Sequence, residues 1–247
     1  AVALAERVAR MPGLTLRGLQ GYQGKLQHLE GHDTRRRAAL EAQERLMDVR
    51  AAFERAGLPV EMVSGGGTGT YDVVGAMPGM TEIQPGSYIL MDLDYARNDQ
   101  DPRWPAFEQA LFILTTVMSR RHGSQGELAT LDAGLKSFST DSGSAMPAFA
   151  GWQVRGVSDE HTVLERIGDG PELALGDKPL LVPGHVDPTV NLLAVVTHEP
   201  GKGLLRSAIG SSLLTPPCLV SGETADLVLL PASAGTRTVA TGLRHRT

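Results

Sequence analysis

The segment Pro183-Gly184-His185-Val186-Asp187-Pro188-Thr189-Val190-Asn191 sets an imidazole and a carboxylate two residues apart, between two prolines that stiffen the backbone. In an extended segment residues i and i+2 point the same way, so His185 and Asp187 can reach one point while Val186 points elsewhere. A nitrogen and a hard oxygen converging on one point suit a divalent cation. Alone, the triplet is more often two surface polar residues, and other residues must raise the case for a metal.

A second candidate is Ser64-Gly65-Gly66-Gly67-Thr68-Gly69-Thr70-Tyr71. Glycines let backbone N–H groups approach an anion closely, and threonine hydroxyls add donors, which together make a phosphate cradle. No lysine follows as in a Walker motif, and the G-x-G-x-x-G register of a dinucleotide fingerprint is incomplete. A flexible turn is the alternative, and phosphate binding is the preferred reading. Tyr22 and His28 fall just past a predicted strand, where a ring and an imidazole could flank a planar cofactor or simply pack. Asp132 with Lys136 reads equally as a loop salt bridge. Ser158-Asp159-Glu160-His161 is either a second shell for a metal or a polar turn, and the turn is the preferred reading.

The elements that must position these residues are legible in outline. Val2, Leu4, Ala5, Val8 and Ala9 form one face of a helix already under way at Ala1, which leads us to expect that an N-terminal part of a longer protein precedes it; a trimmed terminus is the alternative. Leu14 to Gln20 reads as a strand. A helix is predicted from Thr34 to Ala56, with Ala39, Ala42, Leu46, Val49, Phe53 and Ala56 as its buried stripe. Asp33 or Thr34 would cap its start, and Gly57 with Pro59 would stop it. Val60 to Val63 is a short strand running into the glycine cluster. This β/α alternation implies a parallel sheet or barrel, with functional loops at the C-terminal ends of the strands.

Near Pro85 the pattern changes. Strands are predicted at Ser87 to Asp92, Ala110 to Met118, Glu127 to Leu131, Gly151 to Gly156, Thr162 to Ile167 and Pro179 to Val182, separated by Gly, Ser and Asp turns. The expected organisation is an α/β part over 1–85, a mostly β domain over 86–197 and an atypical tail over 198–247. The one apolar run of that tail, Leu227 to Leu230, is too short to tell strand from helical turn.

Bulk composition narrows the function class. The chain has 247 residues, 41% hydrophobic and 21% charged, which is ordinary for a globular protein able to bury a core. A net charge of -5 argues against a nucleic-acid partner. The only basic run, Arg35-Arg36-Arg37, reads as a solvated helix start. A single cysteine, Cys218, excludes an intramolecular disulfide framework and is compatible with a reducing cytoplasm. No apolar run approaches the roughly 20 residues needed to span a bilayer, and no signal-peptide pattern opens the chain.

Five segments occur in an order that carries a resemblance: Ser64 to Thr70, Thr81-Glu82-Ile83-Gln84-Pro85-Gly86-Ser87-Tyr88, Leu131-Asp132-Ala133-Gly134-Leu135-Lys136, Asp159-Glu160-His161, and Pro183 to Thr189. Together they resemble the D-threonine aldolase and D-serine dehydratase family of pyridoxal-phosphate enzymes, over residues 1 to 195. The resemblance implies an alanine-racemase-like fold: a cofactor-binding (β/α)8 barrel, here partial, followed by a metal-holding β domain. It implies that His185 and Asp187 bind a divalent metal. It places Tyr22, His28, Gly66, Gly67, Thr68 and Tyr88 around the cofactor. The dehydratases of the family carry cysteine two residues after the metal histidine and use zinc, whereas the aldolases carry aspartate. Asp187 thus resembles the aldolase branch, and a carboxylate suits manganese or magnesium better than zinc.

The implied reaction is retro-aldol cleavage of a small D-3-hydroxy-amino acid, D-threonine giving glycine and acetaldehyde, in a cytoplasmic homodimer. Two alternatives are a D-serine or 3-hydroxyaspartate dehydratase and a non-catalytic metal-binding remnant. The last draws on a departure from the family. Its Schiff-base lysine lies on the first barrel strand, and none of Lys25, Lys136, Lys178 and Lys202 matches that motif. The tail after residue 198 also departs from the family's final strand pattern.

Overall fold

A computed structural model describes residues 1–123 and 126–192, and beyond them the backbone of three strands at 195–199, 203–207 and 228–229. The chain divides into two units, Ala1–Tyr88 with Arg97–Phe107, and Ile89–Ala96 with Glu108–Thr247. It therefore passes between units three times, rather than once near residue 86.

The first unit runs α1 (Val2–Ala9), β1 (Gly18–Gly21), α2 (His32–Arg55), β2 (Met62–Gly65), α3 (Tyr71–Val74) and β3 (Glu82–Ile83). Its three strands are parallel in the order β1-β2-β3, with Gln20 opposite Ser64 and Ser64 opposite Glu82. β1 is shorter than the expected Leu14 to Gln20 strand. Helix α2 buries Ala39, Leu46 and Phe53 of the expected stripe, while Ala42 and Val49 are only partly buried and Ala56 is exposed; burying Leu46 and Phe53 contributes about 1.5–3 kcal/mol each. It starts two residues earlier than expected. Gly31 occupies the N-cap and no side chain caps the helix, so neither Asp33 nor Thr34 plays that part.

The second unit runs α4 (Leu93–Ala96), β4 (Leu111–Leu114), β5 (Val117–Gly123), β6 (Gly126–Leu131), β7 (Met146–Pro147), β8 (Trp152–Val157), β9 (Thr162–Arg166), β10 (Leu180–Val182), α5 (Val186–Leu192), β11 (Val195–Glu199), β12 (Gly203–Ser207) and β13 (Val228–Leu229). A four-stranded antiparallel sheet has the order β5-β6-β9-β8, and a six-stranded sheet the order β13-β11-β12-β4-β10-β7. Its pairs are antiparallel except β12 with β4. Ile113, Val117, Leu131, Phe138, Trp152, Leu164 and Leu181 form the core of this unit.

Three predicted elements differ here. Ser87 to Asp92 is not a strand: Ser87–Ile89 is a 3-10 turn, Met91 has φ 50, and the Asp92 carboxylate accepts the Tyr95 N–H to begin α4. The single strand from Ala110 to Met118 is two, broken at a corner between the sheets. At that corner the Thr115 N–H and hydroxyl both bond the Pro179 carbonyl, and the Thr116 N–H bonds Asp132 Oδ1 at 2.6 Å. A chain whose polar groups find partners outside the ladder can leave one sheet for another, and β-branched periodicity does not register that. At the start of the tail, to which the sequence assigns no fold, β11 and β12 pair with each other and β12 with β4. The run from Leu227 to Leu230 contains β13, which pairs with β11. The remainder of the tail, with Cys218 and Lys202, lies outside the described residues.

Candidate metal and phosphate sites

In the first unit the glycine cluster follows β2 directly. Gly66 has φ 71, a left-handed conformation that a side chain would strain, and a Cβ on Gly69 would lie 1.9 Å from the Gln27 carbonyl oxygen. The loop is held by groups distant in sequence. Gln27 is 2% exposed; its Oε1 accepts the Gly69 N–H at 3.0 Å and its Nε2 donates to Thr70 Oγ1 at 3.2 Å. The Gly67 N–H bonds Thr70 Oγ1 at 3.1 Å. Two of the loop's amides are thus already occupied, which narrows the cradle inferred from the glycines.

Thr68 Oγ1 supplies what those amides do not. It is buried and, among the described residues, has no hydrogen-bond partner. An unsatisfied buried hydroxyl costs about 1–3 kcal/mol, which an anion in the loop would recover. The residues present therefore fit a phosphate at Thr68. Tyr22 is exposed and lies against Gly67, since a Cβ there would stand 3.0 Å from the Tyr22 hydroxyl. His28 is half-buried nearby in sequence, one residue past Gln27. Tyr88 is engaged by an aromatic group: its ring meets that of Phe107 edge-on at 5.2 Å between centroids, and Phe107 packs on Tyr71 at 5.0 Å.

Arg35 corrects the reading of the basic run. It is 3% exposed, not solvated, while Arg36 and Arg37 are exposed. Its Nε donates to the Gly69 carbonyl and its Nη1 to the Leu29 carbonyl, both at 2.8 Å, and its Nη2 bonds the Asp99 carbonyl. One guanidinium therefore ties the loop after β1, the glycine loop and the Arg97–Phe107 segment together. Burial lowers its pKa, opposed by the charges of Asp72 and Asp99. The spacing of charges in the sequence carried no sign of this, because the partners are backbone carbonyls.

In the second unit His185 precedes α5 and Asp187 lies in its first turn. The segment is not extended as expected. The helix begins at Val186 because its N–H is taken by the buried Asp92 carboxylate at 2.8 Å, and Pro188 is tolerated in a first turn. Even so, the two donors converge: His185 Nε2 lies 3.8 Å from Asp187 Oδ2. A cation about 2.1 Å from each donor can bridge up to about 4.2 Å, so the pair fits a divalent ion.

The other ring nitrogen, Nδ1, donates to Asp141 Oδ2 at 2.8 Å, with Ser142 Oγ at 3.5 Å. Burial opposes protonation of His185. The hydrogen bond and charge of Asp141, with the charges of Asp187 and Asp92, outweigh it and hold the imidazole pKa above its usual value. Among the described residues no cluster of three or more His, Cys, Asp or Glu side chains could hold a metal ion.

The other candidates are structural. Asp132 bonds Thr116 rather than Lys136, and Lys136 pairs with Glu160. Asp159-Glu160-His161 is the turn between β8 and β9, closed by the Ser158 N–H on the His161 carbonyl at 2.8 Å. Among the described residues no helix is long and apolar enough to cross a membrane.

One chain thus carries a β unit bearing a histidine–aspartate pair at a helix start and a separate β-α-β unit with a glycine loop. Residues 110–198 match the family described as the putative serine dehydratase domain. The chain is 42% identical over 198 residues to the 3-hydroxy-D-aspartate aldolase of Paracoccus denitrificans (strain Pd 1222), a match covering 77% of this chain and 49% of the relative. The D-threonine aldolase structure from Filomicrobium marinum is 40% identical with a TM-score of 0.73, covering 78% of this chain and 52% of that one.

The chain thus spans about half the length of the curated relatives it matches. The fold is shared with the D-threo-3-hydroxyaspartate dehydratase of Delftia sp. HT23, at 21% identity, TM-score 0.62 and coverage of 82% and 58%. A variant of that dehydratase with a cysteine replaced by alanine is described as metal-free. The ala racemase-like protein of Idiomarina loihiensis shares the fold too, at 19% identity, TM-score 0.61 and coverage of 78% and 54%.

Proposed function

We propose that this chain carries the metal-binding and phosphate-binding parts of an aldolase acting on small D-3-hydroxy-amino acids such as D-threonine. The observation that carries the reading is the convergence of His185 Nε2 and Asp187 Oδ2 at 3.8 Å. The unit of Ala1–Tyr88 with Arg97–Phe107 forms part of a cofactor-binding (β/α)8 barrel, and the unit of Ile89–Ala96 with the strands from Glu108 onward a metal-binding β domain, in an enzyme that works as a cytoplasmic homodimer. The bound pyridoxal phosphate supplies an electron sink for the substrate's Cα, and the divalent cation, manganese or magnesium, acidifies its β-hydroxyl.

This chain's own groups do the positioning. Thr68 Oγ1 donates to the phosphate, and Gly66 and Gly67 let it approach closely. Tyr22 covers Gly67, and His28 and Tyr88 complete the cofactor's surroundings. His185 and Asp187 hold the cation with neutral nitrogen and hard oxygen, leaving open positions for the substrate hydroxyl. Lys136 is paired with Glu160, Lys178 Nζ bonds Thr116 Oγ1 at 2.7 Å, and Lys25 stands in a 3-10 turn off β1.

A dehydratase of D-serine or 3-hydroxyaspartate is the second reading, favoured by the family description of residues 110–198; the carboxylate of Asp187, in place of a thiolate, supports the aldolase. A metal-binding remnant without activity is what the chain would be in isolation. The test is calorimetric titration of the metal-free chain with manganese, with His185→Ala alongside. Binding lost in the variant is expected; equal binding by both would sink the reading. Acetaldehyde release from D-threonine, against pyruvate from D-serine, separates the two reactions in the enzyme completed by an upstream barrel segment.

A further inference from the structure

Asp141 lies 44 residues before His185 and belongs to none of the motifs above. Both of its oxygens are committed: Oδ2 accepts the His185 Nδ1–H at 2.8 Å, and Oδ1 accepts the Ser139 hydroxyl at 2.5 Å. Ser139 is itself anchored, its N–H donating to Oγ1 of Thr189 at 3.1 Å. Thr189 is fully buried in α5, the helix whose first turn carries Asp187. The loop also seats tightly beneath His185, since a Cβ on Gly184 would stand 2.1 Å from the Gly143 carbonyl oxygen. A closed circuit results, from α5 through Thr189, Ser139 and Asp141 back to the ring of His185.

A neutral imidazole carries one proton, on one nitrogen or the other. A carboxylate can only accept, so Asp141 places that proton on Nδ1 and leaves the lone pair on Nε2, the nitrogen that faces Asp187. Metal-ligating histidines commonly donate their second N–H in this way, and loss of the acceptor typically costs 10–100-fold in metal affinity. We infer that Asp141 is the positioning residue of the metal site, fixing the tautomer and ring orientation of His185 through a clamp formed by Ser139 and Thr189. The inference rests on the reading of His185 and Asp187 as metal ligands, but its first consequence is visible without metal.

The experiment has two arms. In metal-free protein, at a pH where the His185 ring has lost its second proton, nitrogen NMR of labelled histidine reads which nitrogen of His185 is protonated. Wild type is expected to be Nδ1–H. Asp141→Ala should shift the population towards Nε2–H, whereas Asp141→Asn, whose amide oxygen still accepts, should retain Nδ1–H. In the second arm, calorimetric titration with manganese should give a 10–100-fold weaker affinity for Asp141→Ala and a smaller loss for Asp141→Asn and Ser139→Ala. An Nε2–H ring in the wild type, or an Asp141→Ala variant with unchanged tautomer and affinity, overturns the inference. A wild type that is Nδ1–H but binds no manganese overturns the metal reading and leaves the clamp standing. The near-isosteric Asp141→Asn and Ser139→Ala variants keep the test decisive where Asp141→Ala folds poorly.

Discussion

Replacing Arg35 by methionine keeps a stem of similar length and removes the guanidinium. Three carbonyls, of Leu29, Gly69 and Asp99, then lose a charged donor. Hydrogen bonds to charged groups contribute about 1.5–3 kcal/mol each, a gross loss of about 5–9 kcal/mol. Against this, the variant no longer buries a guanidinium, which costs several kcal/mol in the wild type. The net destabilisation is about 3 kcal/mol, or roughly 6–12 °C in melting temperature for a chain of this size. Urea unfolding measures the first quantity. Hydrogen exchange at the Gly67 and Gly69 amides, both bonded inside the loop, measures whether the glycine cluster loosens. Faster exchange there, with most of the protein unchanged, is expected. Arg35→Lys should fall between, because one ammonium cannot reach three divergent carbonyls. A loss below about 1 kcal/mol with unchanged exchange would refute the tie between the three loops.

Four further outcomes are expected. Gly67→Val should weaken pyridoxal-phosphate retention in the completed enzyme, read by cofactor absorbance after dialysis, because a Cβ would stand 2.8 Å from Gln27 Oε1 and 3.0 Å from Tyr22; unchanged affinity would rule the cradle out. Asp187→Cys should shift the metal preference from manganese towards zinc in competition titrations, as a soft thiolate replaces a hard carboxylate. Borohydride reduction of this chain with pyridoxal phosphate should give no specific lysine adduct on peptide mapping and no acetaldehyde from D-threonine; a specific adduct on Lys25 with metal-dependent acetaldehyde release would overturn that.

The fourth concerns pH. In the metal-free fold the Asp141 pKa is lowered: burial opposes ionisation, but the Ser139 and His185 hydrogen bonds outweigh it. Its contribution is therefore present above the unfolded value of about 3.9 and lost as pH falls through the folded one. The His185 pKa is raised, so its contribution is complete below about 6.5 and lost as pH rises through the folded value. The melting-temperature difference between wild type and Asp141→Asn should thus be greatest between about pH 4 and 6.5 and shrink above it; a difference flat up to pH 9 would contradict the pairing.

What could be read from the sequence divides along a physical line. Contiguous signals were legible: the stripe of α2, the strand entering the glycine cluster, the turn at 158–161, and His185 with Asp187. Groups whose partners are far away were not. Arg35 looked like part of a solvated run because backbone carbonyls leave no mark in a sequence. Gln27 and Asp141 are ordinary polar residues until the chain brings Thr70 and His185 to them. The pair at 185 and 187 was inferred from an extended geometry, yet it converges on a helix start instead, because Asp92, 94 residues earlier, takes the Val186 N–H. The corner at Thr115 and Thr116 likewise depends on Pro179 and Asp132, which no local pattern anticipates.

The position of β4 has a consequence for the order in which the chain becomes structured. Its two neighbours, β10 and β12, follow it by about 70 and about 90 residues, separations that make closure of these pairs slow compared with local contacts. The β5-β6 hairpin and the β8-β9 hairpin need only nearby residues. During synthesis the four-stranded sheet can therefore assemble while Leu111–Leu114 still has both edges open to solvent. β10 then arrives immediately ahead of His185 and Asp187, so this pair is set in place by the same pairing that first covers β4. Parallel β12 seals the second edge last, and until it does, β4 is the segment of the nascent chain most exposed to pairing with another copy.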